Sequence, residues 1–322
     1  MDLFGTHGVQ PASPQPEWPQ IAAALPPNIR LGTSSWNFPG WAGLVWDREY
    51  AESRLSREGL AAYAAHPLLR TVSLDRALYR PLSASDYARY ADQTPDSFRL
   101  MVKAPALVTD AMVRAEDGRG MQPNPAFLDA ATAWSACAQP LIDGLGARLG
   151  VLVLQLSPVG ARWLRERQAL MRQLGQLLAA LQPLREQIAG AIIAVEVRNP
   201  ELLAADFADV LREHGAVYCL GLHAKMPPID AQLPMLRALW PGPLVCRWSL
   251  HGKHGRYGYE QAKALYEPFN AIVDPDPSTR TTLVKVMRAT AQAGFDVYVT
   301  VNNKAEGSAP LSVLEIAREC VA

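Results

Sequence analysis

Eight short runs rich in β-branched and aliphatic residues, each followed by a stretch with helical spacing, constrain this chain more than any other feature. The runs are 31–35 (LGTSS), 70–75 (RTVSLD), 98–103 (FRLMVK), 150–156 (GVLVLQL), 190–197 (GAIIAVEV), 216–222 (AVYCLGL), 244–249 (LVCRWS) and 296–302 (DVYVTVN). The clearest helix-like segment is 162–182, where Leu164, Leu170, Met171, Leu174, Leu177, Leu178 and Leu181 recur on one face. Weaker ones cover 53–66, 84–93, 125–138, 200–213, 229–239, 259–268, 279–293 and 307–320. Around the 200–213 segment, Pro200 stands just inside the start and Gly215 just past the end, the asymmetry that helix termini favour. Near-continuous apolar strands alternating with helices require a parallel sheet covered by those helices, and eight such repeats predict an α/β fold closed as a TIM (β/α)8 barrel. The competing open, doubly wound sheet lacks its usual signatures, since neither G-x-G-x-x-G nor G-x-x-x-x-G-K-[ST] follows any run.

At 322 residues and 49% hydrophobic composition the chain can bury one large core. A single barrel domain is expected over residues 29–322, preceded by an extended, Pro-rich tail over residues 1–28. Lys plus Arg and Asp plus Glu number 31 each, so no global field draws the protein to nucleic acid or to an anionic membrane. Charge-based recognition must be local. Cys137, Cys219, Cys246 and Cys320 show no C-x-x-C spacing, which points to four reduced thiols and a cytoplasmic setting. The first residues lack the basic start and apolar core of a signal peptide, and nowhere do 18 apolar residues run together. No association with membrane is expected.

In a barrel, chemistry collects at the C-terminal ends of the strands. Here those ends read Ser34, Ser35 and Trp36; Asp75 then Tyr79; Lys103; Gln155; Glu196, Arg198 and Asn199; His223 and Lys225; Arg247 and Trp248 with His251 following; and Asn302, Asn303 and Lys304. Apolar strands that repeatedly end in acid, base, amide and indole groups resemble the lining of a small-molecule pocket. In AVEVRNP, Glu196 and Arg198 share one face of their strand, as a structural ion pair or as part of a site. As part of a site, Glu196 is the candidate general acid or base, and Arg198 and Arg247 suit bidentate binding of a carboxylate or phosphate. Lys103 needs an anion or a wet cleft. His251, in the glycine-spaced SLHGKHGRYGY, is a further catalytic candidate.

Gly252-Lys253-His254-Gly255 and NNKAEGSAP, after the seventh and eighth runs, have the makings of an anion cradle or of ordinary helix caps. No H-E-x-x-H or other local ligand pair supports a metal, no cofactor signature is present, and G-x-S-x-G is absent. Trp36, Trp41, Trp46 and Trp248 have the shape to stack a base or a sugar, or simply to wall the first loop.

The motifs LGTSSWNFPGW, LMVKAP, VLVLQLSP, AVEVRNP, RWSLHG and VYVTVNNKAEGSAP, in this order over residues 31 to 310, resemble the YecE-like family, domain of unknown function 72. The resemblance implies a TIM barrel. It places the family pattern on Gly32, Thr33, Ser34, Trp36, Lys103, Gln155, Glu196, Arg198, Arg247, His251, Gly252, Asn302, Asn303 and Pro310, and brings no established reaction with it. Where the family's second strand usually reads Glu-Val-Asn and then Phe-Tyr, this chain has Ser73, Leu74 and Asp75, then Leu78 and Tyr79. Ser35 and Ser157 stand where glycine and proline are usual.

Together these features predict a metal-independent enzyme, a hydrolase or a lyase or isomerase, that acts by acid/base chemistry on a small anionic metabolite, phosphorylated or sugar-containing. Glu196, Lys103 and His251 are its expected catalytic residues. Trp36, Ser34, Asp75, Tyr79, Gln155, Arg198, Arg247, Trp248, Asn302, Asn303 and Lys304 are the expected ligand contacts. On this reading Glu196→Gln abolishes turnover and spares folding. The alternative is a nonenzymatic barrel that senses a ligand or binds nucleic acid through the tryptophans and local cations.

Overall fold

The computed structural model describes residues 8–115, 118–255 and 258–322. Its eight barrel strands are β1 (Ile29–Thr33), β2 (Thr71–Leu74), β3 (Arg99–Lys103), β4 (Leu149–Gln155), β5 (Ile192–Glu196), β6 (Val217–Leu222), β7 (Leu244–Trp248) and β8 (Val297–Val301). Each lies within or across one of the eight β-rich runs. Every strand pairs in parallel with its chain neighbours, and β8 closes the ring onto β1 from Ile29↔Val297 to Thr33↔Val301. This is a closed TIM barrel. Each strand's first face packs under the helices, where Leu31, Val72, Leu152, Val195, Leu220 and Trp248 join the main apolar core.

The other face points into the barrel. Met101, Val151, Val153, Ile192, Ala194, Cys219, Val245 and Tyr298 fill that interior as a separate apolar plug. Gly150 makes room for the floor of this plug, because a Cβ there would meet the Tyr298 ring and hydroxyl at 2.6–2.8 Å. Two residues further along the same faces come Lys103, Gln155, Glu196, Gly221, Arg247 and Thr300. The sheet's period of two thus carries a dry floor into a polar mouth.

Several local expectations are corrected. Residues 8–28 are not simply extended, for Glu17–Ala24 is a helix that buries Trp18 and Ala22. Its Pro19 sits in the first turn, where the missing N–H loses no intrahelical bond. Arg70 fastens the segment by donating to Pro26 O (3.1 Å) and Ala22 O (2.5 Å). Glu17 also pairs with Arg318 of the last helix. Pro200 opens a 3-10 turn (Pro200–Leu202) rather than the helix itself, which spans Ala205–Glu213, and Gly215 follows it at φ 58°. The 125–138 segment is helical only from Ala130, through a π turn at Trp134–Ala138. Between β3 and that helix, the short helix Ala106–Thr109 and an antiparallel hairpin (Met112–Arg114 with Gly120–Pro123) form an excursion with no forewarning in the apolar pattern.

The four cysteines are buried and form no disulfide. Among the described residues, no helix is long and apolar enough to cross a membrane, and no three His, Cys, Asp or Glu side chains group as metal ligands.

Candidate functional site

Five charged side chains meet at the C-terminal mouth. Lys103 ends β3, Glu196 ends β5, Arg247 lies one residue inside the end of β7, Asp75 follows β2 and Arg198 continues the inward face of β5. Arg247 Nη1 donates to Glu196 Oε2 (2.5 Å) and to Gln155 Oε1 (2.9 Å). Arg198 Nη2 lies 2.5 Å from Glu196 Oε1, out of line for a hydrogen bond but in ion-pair contact, and donates to Gln155 Oε1 at 3.3 Å. Lys103 Nζ donates to Asp75 Oδ2 (2.5 Å), Ser73 Oγ donates to Asp75 Oδ1 (2.6 Å), and Arg247 Nη2 stands 3.6 Å from Asp75 Oδ2. Gln155 ties the two arginines together, and Arg247 ties the two carboxylates.

Three cations therefore face two carboxylates, leaving one positive charge over, and Lys225 on the rim adds another. The Nε donors of Arg198 and Arg247 are buried and have no acceptor among the described residues. Burial alone would raise the Glu196 carboxyl, but Arg198, Arg247 and Lys103 outweigh it and hold the group below the usual range. Asp75 follows the same logic, with burial opposed by Lys103, Arg247 and the hydrogen bonds from Lys103 and Ser73. Burial, then repulsion from Arg247, brings the Lys103 ammonium down despite Asp75 and Glu196. His223 is lowered to about 4 by burial and by Arg198, so it is neutral near pH 7.

A cleft of about 290 Å³ opens on this cluster. Asp75, Tyr79, Lys103, Gln155, Arg198, Arg247 and Asn302 line it, together with His223 and Lys225. Tyr259 and Ser249 line it too, unanticipated because Tyr259 opens a helix and Ser249 lies just past β7 between the more conspicuous Trp248 and His251. Glu196 lies behind the wall, fully buried, between the two arginines. An acid held ionised and away from the cleft is a poor proton donor, and its geometry is that of a positioning group.

Six other expected residues do not line the cleft. Trp248 follows Arg247, so it faces the helices and is buried there, and the Trp36 indole is buried with its N–H donating to Leu55 O (3.1 Å). Ser34 is buried, with its N–H closing β1 on Val301 O (2.9 Å). Asn303 Oδ1 accepts from Trp41 Nε1 (3.2 Å) and from Ala309 N (2.8 Å), pinning the start of the last helix. Lys304 Nζ lies 4.1 Å from the Tyr259 ring centroid and is lowered to about 8 by burial. His251 Nδ1 accepts from Lys253 N (3.1 Å), capping the turn Gly252–His254.

A parallel eight-stranded barrel with a cation-rich cleft at its C-terminal mouth defines the class, a TIM-barrel protein with its polar groups where that fold gathers them. The family model described as protein of unknown function DUF72 matches residues 30–321, and the chain belongs to that family, the one also called YecE-like. Similar solved structures include a DUF72 family protein from Enterococcus faecalis V583, at 18% identity over 91% of this chain and 96% of that chain, with a TM-score of 0.56. Another, from Thermotoga maritima MSB8, is 20% identical over 90% of this chain and 98% of that chain, with a TM-score of 0.50. At such identities the likeness is one of fold. Comparison with curated proteins gives no match.

Proposed function

We propose that this protein binds a small anionic metabolite in the cleft and acts on it by metal-independent proton transfer through Lys103, which Asp75 orients. The carrying observation is the surplus positive charge of Lys103, Arg198 and Arg247 over Asp75 and Glu196 at the wall of a cleft of about 290 Å³. An anion there receives charge-assisted hydrogen bonds from groups already fixed by Glu196 and Gln155, so little ordering cost remains. Lys103 is the proton donor, its ammonium made more acidic by burial and by Arg247, and Asp75, itself held ionised, orients it. Glu196 positions the arginines. Such groups serve hydrolysis, elimination or isomerisation of a phosphorylated or carboxylated compound.

The nucleic-acid reading has less support, because Trp36, Trp41 and Trp248, its stacking surfaces, are all buried. The test is a thermal-shift titration at low ionic strength with inorganic phosphate and a panel of sugar phosphates. A concentration-dependent rise in Tm that disappears in Arg198→Met supports the proposal. No shift with any of these anions, or an undiminished shift in Arg198→Met, overturns it.

A further inference from the structure

Beside the cationic cleft runs a second hollow of about 690 Å³, and the two share Leu78, Tyr79 and Ser157 as a common wall. Its far side is the excursion after β3, with Leu107 from the helix Ala106–Thr109 and Met112 and Val113 from the hairpin. Among the described residues, Arg114 and Asp110 pair within it, Arg114 donating to both carboxylate oxygens (2.5 and 3.3 Å). Three large side chains left open to water, Tyr79 at 84%, Leu107 at 42% and Val113 at 38% exposure, all border this groove. Exposed apolar residues scattered singly carry no message, but here they line one channel that continues from a charged site.

We propose that the ligand is an amphiphilic anion, with a phosphate or carboxylate head on Lys103, Arg198 and Arg247 and an apolar tail lying along Tyr79, Leu107 and Val113. The inference rests on the anion-binding reading above and specifies its substrate class. The smaller hollow is the size of a head group, and the larger one offers carbon surface from Leu78, Leu107, Met112 and Val113 immediately beyond it.

Isothermal titration with inorganic phosphate and with hexyl phosphate tests both parts. Hexyl phosphate is expected to bind at least about tenfold tighter than inorganic phosphate, because only part of its chain need leave water to give that factor. In the double variant Leu107→Ser/Val113→Ser, whose sites are partly exposed and outside the cation cluster, that advantage falls to about threefold or less while phosphate binding is unchanged. Equal affinity of wild type for the two probes overturns the tail and leaves the head-group reading standing. Failure of both probes to bind overturns both readings. Hexyl phosphate binding undiminished by Arg198→Met shows the groove acting without the cations, and overturns the joined site.

Discussion

Glu196 and Arg247 touch at 2.5 Å although their strands are not neighbours, because β6 stands between β5 and β7 and offers only Gly221 at that level. A Cβ on Gly221 would already lie 3.4 Å from Glu196 Oε1, so a larger side chain must displace the carboxylate. Gly221→Val is expected to weaken phosphate binding at least about tenfold through loss of the arginine geometry, and Gly221→Ala much less. Equal phosphate affinities in both variants and wild type would show that the bridge does not set the site.

Replacing Glu196 by Gln leaves two buried guanidinium groups and Lys103 without their shared carboxylate. Breaking a buried ion pair from one side typically costs about 3–5 kcal/mol, so Glu196→Gln is expected to destabilise by that order in urea unfolding at pH 7. The expectation that this change spares folding is thereby reversed. A loss below about 1 kcal/mol would identify the carboxylate as energetically idle.

Acid should weaken the mouth before the rest of the protein. Both Asp75 and Glu196 are held below their ordinary values of 3.8 and 4.5, so the unfolded chain binds the extra protons first. Their stabilisation is complete above those ordinary values and is lost as pH falls through the lowered ones. Lys103, lowered from 10.5, makes stability rise with pH between its folded and unfolded values. Plots of Tm against pH are expected to show a shallower acid slope in Asp75→Asn than in wild type; coincident slopes would contradict the assignment.

His223 should titrate near 4 in an NMR experiment, and should move up part of the way to 6.5 in Arg198→Met. Burial is the larger cause and survives the substitution, so a full return is not expected. Between those two values the unfolded state binds the proton more readily, so His223 makes stability rise with pH there. A wild-type midpoint near 6.5 would mean that the ring is neither desolvated nor close to the arginine.

Trp18→Ala should cost about 3 kcal/mol, since it empties a buried indole site packed against the His66 ring. Trp18→Phe should cost clearly less, because the indole N–H is buried without an acceptor among the described residues and nothing polar is forfeited. Chemical denaturation of the two variants checks the order, and the reverse order would point to an unseen role for the N–H.

The barrel was readable because its signal is repetitive: eight apolar runs with polar ends cannot be rearranged into many folds, and strand parity then brought Lys103, Gln155, Glu196 and Arg247 together. Parity also separates the misplaced residues. Trp248 is one position from Arg247 and so faces away, a distinction that counting polar and aromatic groups near a strand end overlooks. Asn303 and Lys304 lie past the strand, where a 3-10 turn resets the direction of the side chains. The hairpin after β3 is short and mostly exposed, so no burial pattern marked it, and with it the apolar groove stayed hidden. Position 73 lacks the glutamate that the family resemblance led one to seek, yet Asp75, two residues on along the same face, supplies a carboxylate to Lys103.

The apolar plug from Met101 to Tyr298 makes the barrel a blind well. The described residues leave no way to the cations through that floor, so a molecule resting on them comes in from the mouth and must leave before another takes its place. Competition at this protein is thus built into the hydrophobic packing beneath the charges as much as into the charges themselves.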